Sequence, residues 1–202
     1  LNLKENLIKK IGFDSNKPIL LYAPTFPHKY TSASDLLAEI TKLKDKFQWL
    51  VKFHTLMDKN VQNKYRDLVS ETFKIINENN ILPYFIISNI LITDTSSVVY
   101  EFLPLNRPIV TYKAIARTDK AINIIDAKDL LGAITRSLLD PTEFSENRQF
   151  YLNEIHSYTD GRSSERVVNV INDSISANIF SKLKPKPKNW IRNRKIKKML
   201  QD

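Results

Sequence analysis

The sequence predicts an α/β fold, a doubly wound parallel sheet of Rossmann-like type, and three observations carry that expectation. Short apolar runs alternate along the chain with longer stretches whose apolar residues recur every three or four positions, the pattern of strands alternating with helices. Two of the runs, Ile19-Leu20-Leu21-Tyr22 and Ile90-Leu91-Ile92, are apolar without alternation, as in strands covered on both faces. Composition agrees: 202 residues, 42% hydrophobic and 26% charged, suit a globular domain with a real core.

Each element has its own signal. Residues 3–11 place Leu3, Leu7, Ile8 and Ile11 on one side of a short amphipathic helix, and Gly12 suits its stop. Residues 18–23 form a strand ending at Pro24-Thr25, and a polar loop with His28, Lys29 and Tyr30 follows. Ser34 can cap a helix reaching about Phe47, with Leu36, Leu37, Ile40 and Leu43 inward. Residues 48–53 are a strand ending at His54-Thr55, 58–71 are helical by spacing, and 72–76 are a short strand. Residues 81–87 suit a short helix. A strand then begins at Asn89, and a helix begins near Ser96. Residues 107–112 and 121–125 are the last strands. Asp126 caps a helix through Leu139, with Leu130, Leu131, Ile134 and Leu138 in register, and Asp140-Pro141 ends it. Residues 144–155 form another helix. After the Asp160-Gly161 turn, Ser163 or Ser164 opens a long one bearing Val167, Val168, Ile171 and Ile175. Strands and helices in this order mean right-handed βαβ units. Pro185 and Pro187 predict an extended linker, and a short basic helix follows over 190–200.

Charge is unevenly placed. The formal net charge is +9, and the last 22 residues carry nine Lys and Arg against one Asp, which leaves about +1 for residues 1–180. The division expected is therefore a domain over 1–180 and a basic tail over 181–202. A nucleic-acid-binding globule would spread its cations over a face, so no nucleic-acid partner is expected. No run approaches the roughly 18 apolar residues of a spanning helix, and no signal-peptide pattern opens the chain. Cysteine is absent, which excludes disulfides, thiolate catalysis and thiolate zinc sites and suits a reducing compartment. A start at Leu1 rather than Met suggests a piece of something longer.

Ligands of an open α/β sheet bind outside the carboxyl ends of the strands. The residues just beyond each strand are Pro24-Thr25, His54-Thr55, Thr95-Ser96-Ser97 and Tyr112-Lys113, so hydroxyls, one histidine and helix starts gather at one edge. That set suits phosphate, since the first N–H groups of a helix lack partners and its dipole favours an anion. Thr95 or Ser96 serves equally as an ordinary helix cap. His54 can donate to a phosphate oxygen, take a proton from a hydroxyl, or simply cap the strand end. His28 and His156 read as surface residues. Glu101, one helical turn after Ser97, can accept from a ribose or polyol hydroxyl or stand as a solvated charge. Only Gly12, Gly132 and Gly161 are present, so neither GxGxxG nor a P-loop occurs. No His, Asp or Glu cluster has metal-ligand spacing, and neither a metal nor a cofactor is expected.

Four segments then acquire a joint meaning. Tyr22-Ala23-Pro24-Thr25, Val51-Lys52-Phe53-His54, Leu91-Ile92-Thr93-Asp94-Thr95-Ser96-Ser97 and Asp160-Gly161-Arg162-Ser163-Ser164-Glu165-Arg166-Val167 occur in that order. Together they resemble the CDP-glycerol glycerophosphotransferase family, the teichoic-acid primases and polymerases, over about residues 17–175. The resemblance implies one half of a GT-B-type two-domain architecture, the half that binds the donor nucleotide. It implies transfer of a polyol phosphate from CDP-glycerol or a related CDP-polyol to a hydroxyl of a polyol-phosphate or glycan acceptor, with CMP leaving, in teichoic acid or capsule synthesis. Carried over by motif, Pro24 and Thr25 border the donor site, His54 is the motif histidine, and Thr95, Ser96 and Ser97 hold donor phosphate. Asp94, Asp160 and Arg166 are further candidates. Thr55 stands where the family often has proline, and residues 113–126 depart from the polymerase pattern, so glycerol, ribitol and other polyols stay open as donors. The chemistry implied is in-line attack on phosphorus, which needs positioning and charge stabilisation more than a covalent nucleophile. The expected location is cytoplasmic, with the basic tail able to attach the chain peripherally to the inner, anionic face of the cell membrane. The rival readings are another GT-B-like sugar-nucleotide enzyme, a glycosyltransferase or a UDP-sugar 2-epimerase relative, and a non-catalytic nucleotide-binding or membrane-recruitment module.

Overall fold

The computed structural model describes residues 3–184 and 188–199. Its strands are β1 (Ile19–Tyr22), β2 (Gln48–Val51), β3 (Phe73–Ile75), β4 (Ile90–Thr93), β5 (Ile109–Tyr112) and β6 (Ile122–Ile124). They form one parallel sheet in the order β3-β2-β1-β4-β5-β6. The order reverses between β1 and β4, where doubly wound folds open a crevice for ligands. Register across that point pairs Leu20 with Ile90 and Tyr22 with Ile92.

Successive residues of a strand face opposite sides, so one sheet feeds two cores. Leu20, Tyr22, Trp49, Val51, Ile90, Ile92, Val110 and Tyr112 pack on α2 (Ala33–Leu43), α3 (Lys59–Arg66) and α6 (Leu130–Leu139). Ile19, Leu21, Leu50, Leu91 and Ile109 pack on α1 (Leu3–Ile11), α4 (Leu82–Ile87), α5 (Val98–Phe102) and α7 (Ser145–Ile155). Double coverage explains why these strands read as unbroken apolar runs. A fully buried leucine such as Leu36 contributes about 2 kcal/mol by burial alone.

Element ends differ from expectation where long-range bonds intervene. Ser34 was the expected cap of α2, but the helix starts at Ala33 with Ser32 at the cap position and no capping bond from its side chain. The Ser32 hydroxyl is drawn instead to Asp94, 2.8 Å away. The same helix stops at Leu43 rather than near Phe47, and the Leu43 carbonyl accepts from the Trp49 indole at 3.2 Å. Helix α3 ends at Arg66, five residues short of the expected end, but begins as expected, with Asp58 accepting from the N–H groups of Asn60 and Val61. Asp126 caps a 3₁₀ turn, Ala127–Asp129, that leads into α6.

Contacts group the chain into two compact units, residues 1–157 and 158–202. The second contains α8 (Ser163–Ser176), a 3₁₀ turn (Ile179–Lys182) and α9 (Trp190–Met199). Gly161 takes φ 74° in the turn before α8, a conformation that glycine adopts without a side-chain clash. The extended linker expected at Pro185 and Pro187 lies outside the described residues. Among the described residues no helix is long and apolar enough to cross a membrane.

Candidate functional site

The carboxyl ends of β1 and β4 are bound together. Ala23 N–H donates to the Ile92 carbonyl at 3.0 Å, and the Thr93 hydroxyl donates to the Ala23 carbonyl at 2.7 Å. Asp94, 1% exposed, accepts from Thr25 N–H at 2.9 and 3.2 Å, from Ser32 N–H at 2.9 Å and from the Ser32 hydroxyl at 2.8 Å. The Tyr22 hydroxyl lies 2.8 Å from that of Ser32, extending the chain of polar groups into the core. Burial pushes the Asp94 carboxyl above the usual carboxylate value, outweighing the opposite pull of its donors. Asp94 therefore shapes the loop after β1, with both of its oxygens engaged.

A cavity of about 420 Å³ opens at these ends. Its hydroxyls come from Thr25, Thr95, Ser96 and Thr111, its aromatic edges from Tyr30 and Tyr100, and an apolar wall from Ala114, Ile115 and Ala116. Two cations, Arg117 and Lys120, line it as well. The wall belongs to the β5–β6 connection, which Asn123 stitches down. Its side-chain oxygen takes the Ala114 N–H at 3.0 Å and lies 3.0 Å from the Thr111 hydroxyl, and its amide donates to the Ala114 carbonyl at 3.0 Å. Lys113 and Arg117 take left-handed backbone, φ 50° and 53°, which folds the connection over the strand ends. A larger volume, about 1100 Å³, lies along α9, but it is bounded by residues of the 188–197 segment alone and is open ground beside one helix.

The candidates named from sequence divide by place. Thr25, Asp94, Thr95 and Ser96 line the cavity. Pro24 is buried behind Thr25 and is not in the lining. Ser97 is exposed at the cap position of α5, where its side chain makes no capping bond, and only a 3.4 Å contact joins the Ser96 hydroxyl to Val98 N–H. Glu101 is exposed on α5 and does not line the cavity. His54 also lies outside the lining, stacked on Phe26 at 4.3 Å between ring centres. Its Nδ1 accepts from Leu56 N–H at 3.1 Å, so in the neutral ring Nε2 carries the proton. Tyr112 and Lys113 turn to Asp35, at 2.9 and 3.0 Å. In the second unit Asp160 and Arg166 hold each other through two bonds of 2.8 and 2.6 Å, and Arg166 lies over the Tyr158 ring. Arg117 and Lys120, further along the β5–β6 connection than Tyr112 and Lys113, line the cavity as well and are not marked by their place at a strand end.

Residues 2–117 match the family model described as CDP-Glycerol:Poly(glycerophosphate) glycerophosphotransferase. The chain belongs to this family. Among its glycerophosphotransferase relatives, the teichoic acid glycerol-phosphate primase of Bacillus subtilis (strain 168) is 30% identical over 83% of this chain and 48% of its own length. The teichoic acid poly(ribitol-phosphate) polymerase of Bacillus spizizenii (strain ATCC 23059 / NRRL B-14472 / W23) is 27% identical over 84% of this chain and 30% of its own. A structure of the wall teichoic acid polymerase TagF, soaked with CDPG, superposes with a TM-score of 0.63 at 20% identity, covering 88% of this chain and 46% of that one. At that identity the likeness speaks for the fold. The chain thus spans less than half the length of these relatives.

Proposed function

We propose that this chain is the donor-binding half of a transferase that moves glycerol phosphate, or a similar polyol phosphate, from a CDP-activated donor to an acceptor hydroxyl in teichoic acid or capsule synthesis. The observation that carries the reading is the cavity at the switch point, where Thr25, Thr95 and Ser96 from two adjacent strand ends meet in about 420 Å³. Hydroxyls at such a crevice suit phosphate oxygens. Family membership supplies the reaction class, and the primase and polymerase names of the relatives supply glycerol and ribitol phosphates as the units moved.

In this reading Thr25, Thr95 and Ser96 bind the donor's phosphates, and Asp94 keeps the Thr25 loop in place. His54 takes the acceptor's proton or steadies the phosphoryl group through Nε2, its free ring edge. The acceptor is a polyol-phosphate or glycan hydroxyl. The basic segment 181–202 holds the chain to an anionic membrane surface on the cytoplasmic side, where its cations attract acidic headgroups.

Calorimetric titration of residues 1–202 with CDP-glycerol, CDP-ribitol, CMP and UDP-sugars tests the assignment. CDP-polyol binding tighter than UDP-sugar binding is expected. Preference for a UDP-sugar would move the chain to a sugar-nucleotide enzyme, and no nucleotide binding at all would refute a donor role.

A further inference from the structure

Lys120 lines the cavity with 5% of its surface exposed. Its ammonium donates to the Arg117 carbonyl and lies 5.5 and 5.0 Å from the ring centres of Tyr100 and Tyr151. An ammonium has three donors, and aromatic faces compensate its charge only in part. Asp119, the carboxylate that acts on it electrostatically, is engaged by the Tyr151 hydroxyl at 2.8 Å and the Asn147 amide at 2.9 Å. No ion pair found among the described residues includes Lys120. Burial holds its pKa below the usual lysine value, as for an ammonium short of negative charge.

Arg117 brings a second cation to the same wall, half-exposed, with Glu154 at 3.5 Å and the Tyr151 ring centre at 5.3 Å. The cavity's hydroxyls carry no charge, and the Asp94 carboxylate in its lining opposes an anion. A diphosphate is favoured by positive charge in the lining, and Lys120 and Arg117 are its cationic side chains.

We propose that Lys120, with Arg117 beside it, forms the anion-binding wall that takes the donor's diphosphate, so that the 113–120 connection sets donor affinity. This rests on the reading of the cavity as the donor site.

The test titrates the 202-residue chain, Lys120→Met and Arg117→Asn with inorganic pyrophosphate, CDP and cytidine. Methionine preserves length in a buried position, and asparagine tolerates left-handed backbone. Lys120→Met is expected to lose roughly ten-fold to a hundred-fold in affinity for pyrophosphate and for CDP, the range of a charge-assisted hydrogen bond. Arg117→Asn should lose less, with a smaller dependence on salt than the parent. Cytidine binding should be the same in all three. Undiminished pyrophosphate and CDP binding by a folded Lys120→Met overturns the wall while leaving the donor-site reading intact. Pyrophosphate binding that depends on Lys120, with no added affinity for CDP, keeps the wall and removes the CDP assignment. Should Lys120→Met fail to fold, Arg117→Asn decides, and pyrophosphate affinity equal to the parent's at low salt overturns the wall. No binding of either ligand by the parent overturns both.

Discussion

Asp94, the residue after β4, grips the backbone N–H of Thr25, beyond β1, with both carboxylate oxygens, at 2.9 and 3.2 Å. The bond spans the switch point of the sheet and fixes one wall of the cavity. Asp94→Asn keeps one acceptor but turns a donor toward Ser32, whose N–H and hydroxyl both point at the site. A loss of about 3 kcal/mol is expected, the scale of a broken buried polar network. Urea unfolding checks it, and a loss below about 1 kcal/mol would show that the network is dispensable.

The same carboxyl predicts a pH trend. Burial raises its pKa in the folded chain, so folding favours the protonated form. Its contribution is then complete below the unfolded value of about 3.9 and declines as pH rises through the folded pKa. The stability advantage of the parent over Asp94→Asn should shrink between acidic and neutral pH. An advantage that grows toward neutrality would mean that the donors around Asp94 outweigh its burial.

Ser96 and Ser97 are neighbours with unequal expected roles. Ser96 lines the cavity and Ser97 does not. Ser96→Ala should weaken CDP binding by about 1–3 kcal/mol, and Ser97→Ala should leave it within a few tenths. Equal losses in calorimetry would place both hydroxyls on the donor.

His54 stands outside the cavity lining, so His54→Gln should leave CDP affinity within about two-fold, well under the tenfold that 1.4 kcal/mol would produce. A drop of tenfold or more would make His54 a phosphate ligand rather than a proton carrier.

The fold is largely legible in the sequence because doubly covered strands are written as unbroken apolar runs, as in β1 and β4. Boundaries were less so. Ser32 and Ser34 look alike locally, and what separates them is Asp94, 62 residues away. Of the candidate site, the strand-end residues Thr25, Thr95 and Ser96 followed from topology alone. His54 stands beyond the end of β2 as read but outside the cavity lining, stacked on Phe26 of another loop. Lys120 was illegible: a lysine in a polar stretch reads as solvated, and its burial depends on Tyr100 and Tyr151 arriving from two other helices.

The basic segment should hold the chain to an anionic bilayer. Deleting 181–202 removes nine Lys and Arg. Each such residue near an anionic bilayer contributes about 1 kcal/mol. Sedimentation with mixed neutral and anionic phospholipid vesicles should show binding by the full chain, weakened by salt, and little by residues 1–180. Equal sedimentation of both forms would reject the attachment.

Asn123 has a wider consequence. By tying down both backbone groups of Ala114, it anchors the root of the β5–β6 connection independently of what lies beyond. Ile115 and Ala116, both exposed, can vary without disturbing the sheet, whereas Arg117 and Asp119 are tied to α7 through Glu154, Asn147 and Tyr151. Two chains sharing this scaffold could therefore diverge in the substrate they accept while every strand stays in register.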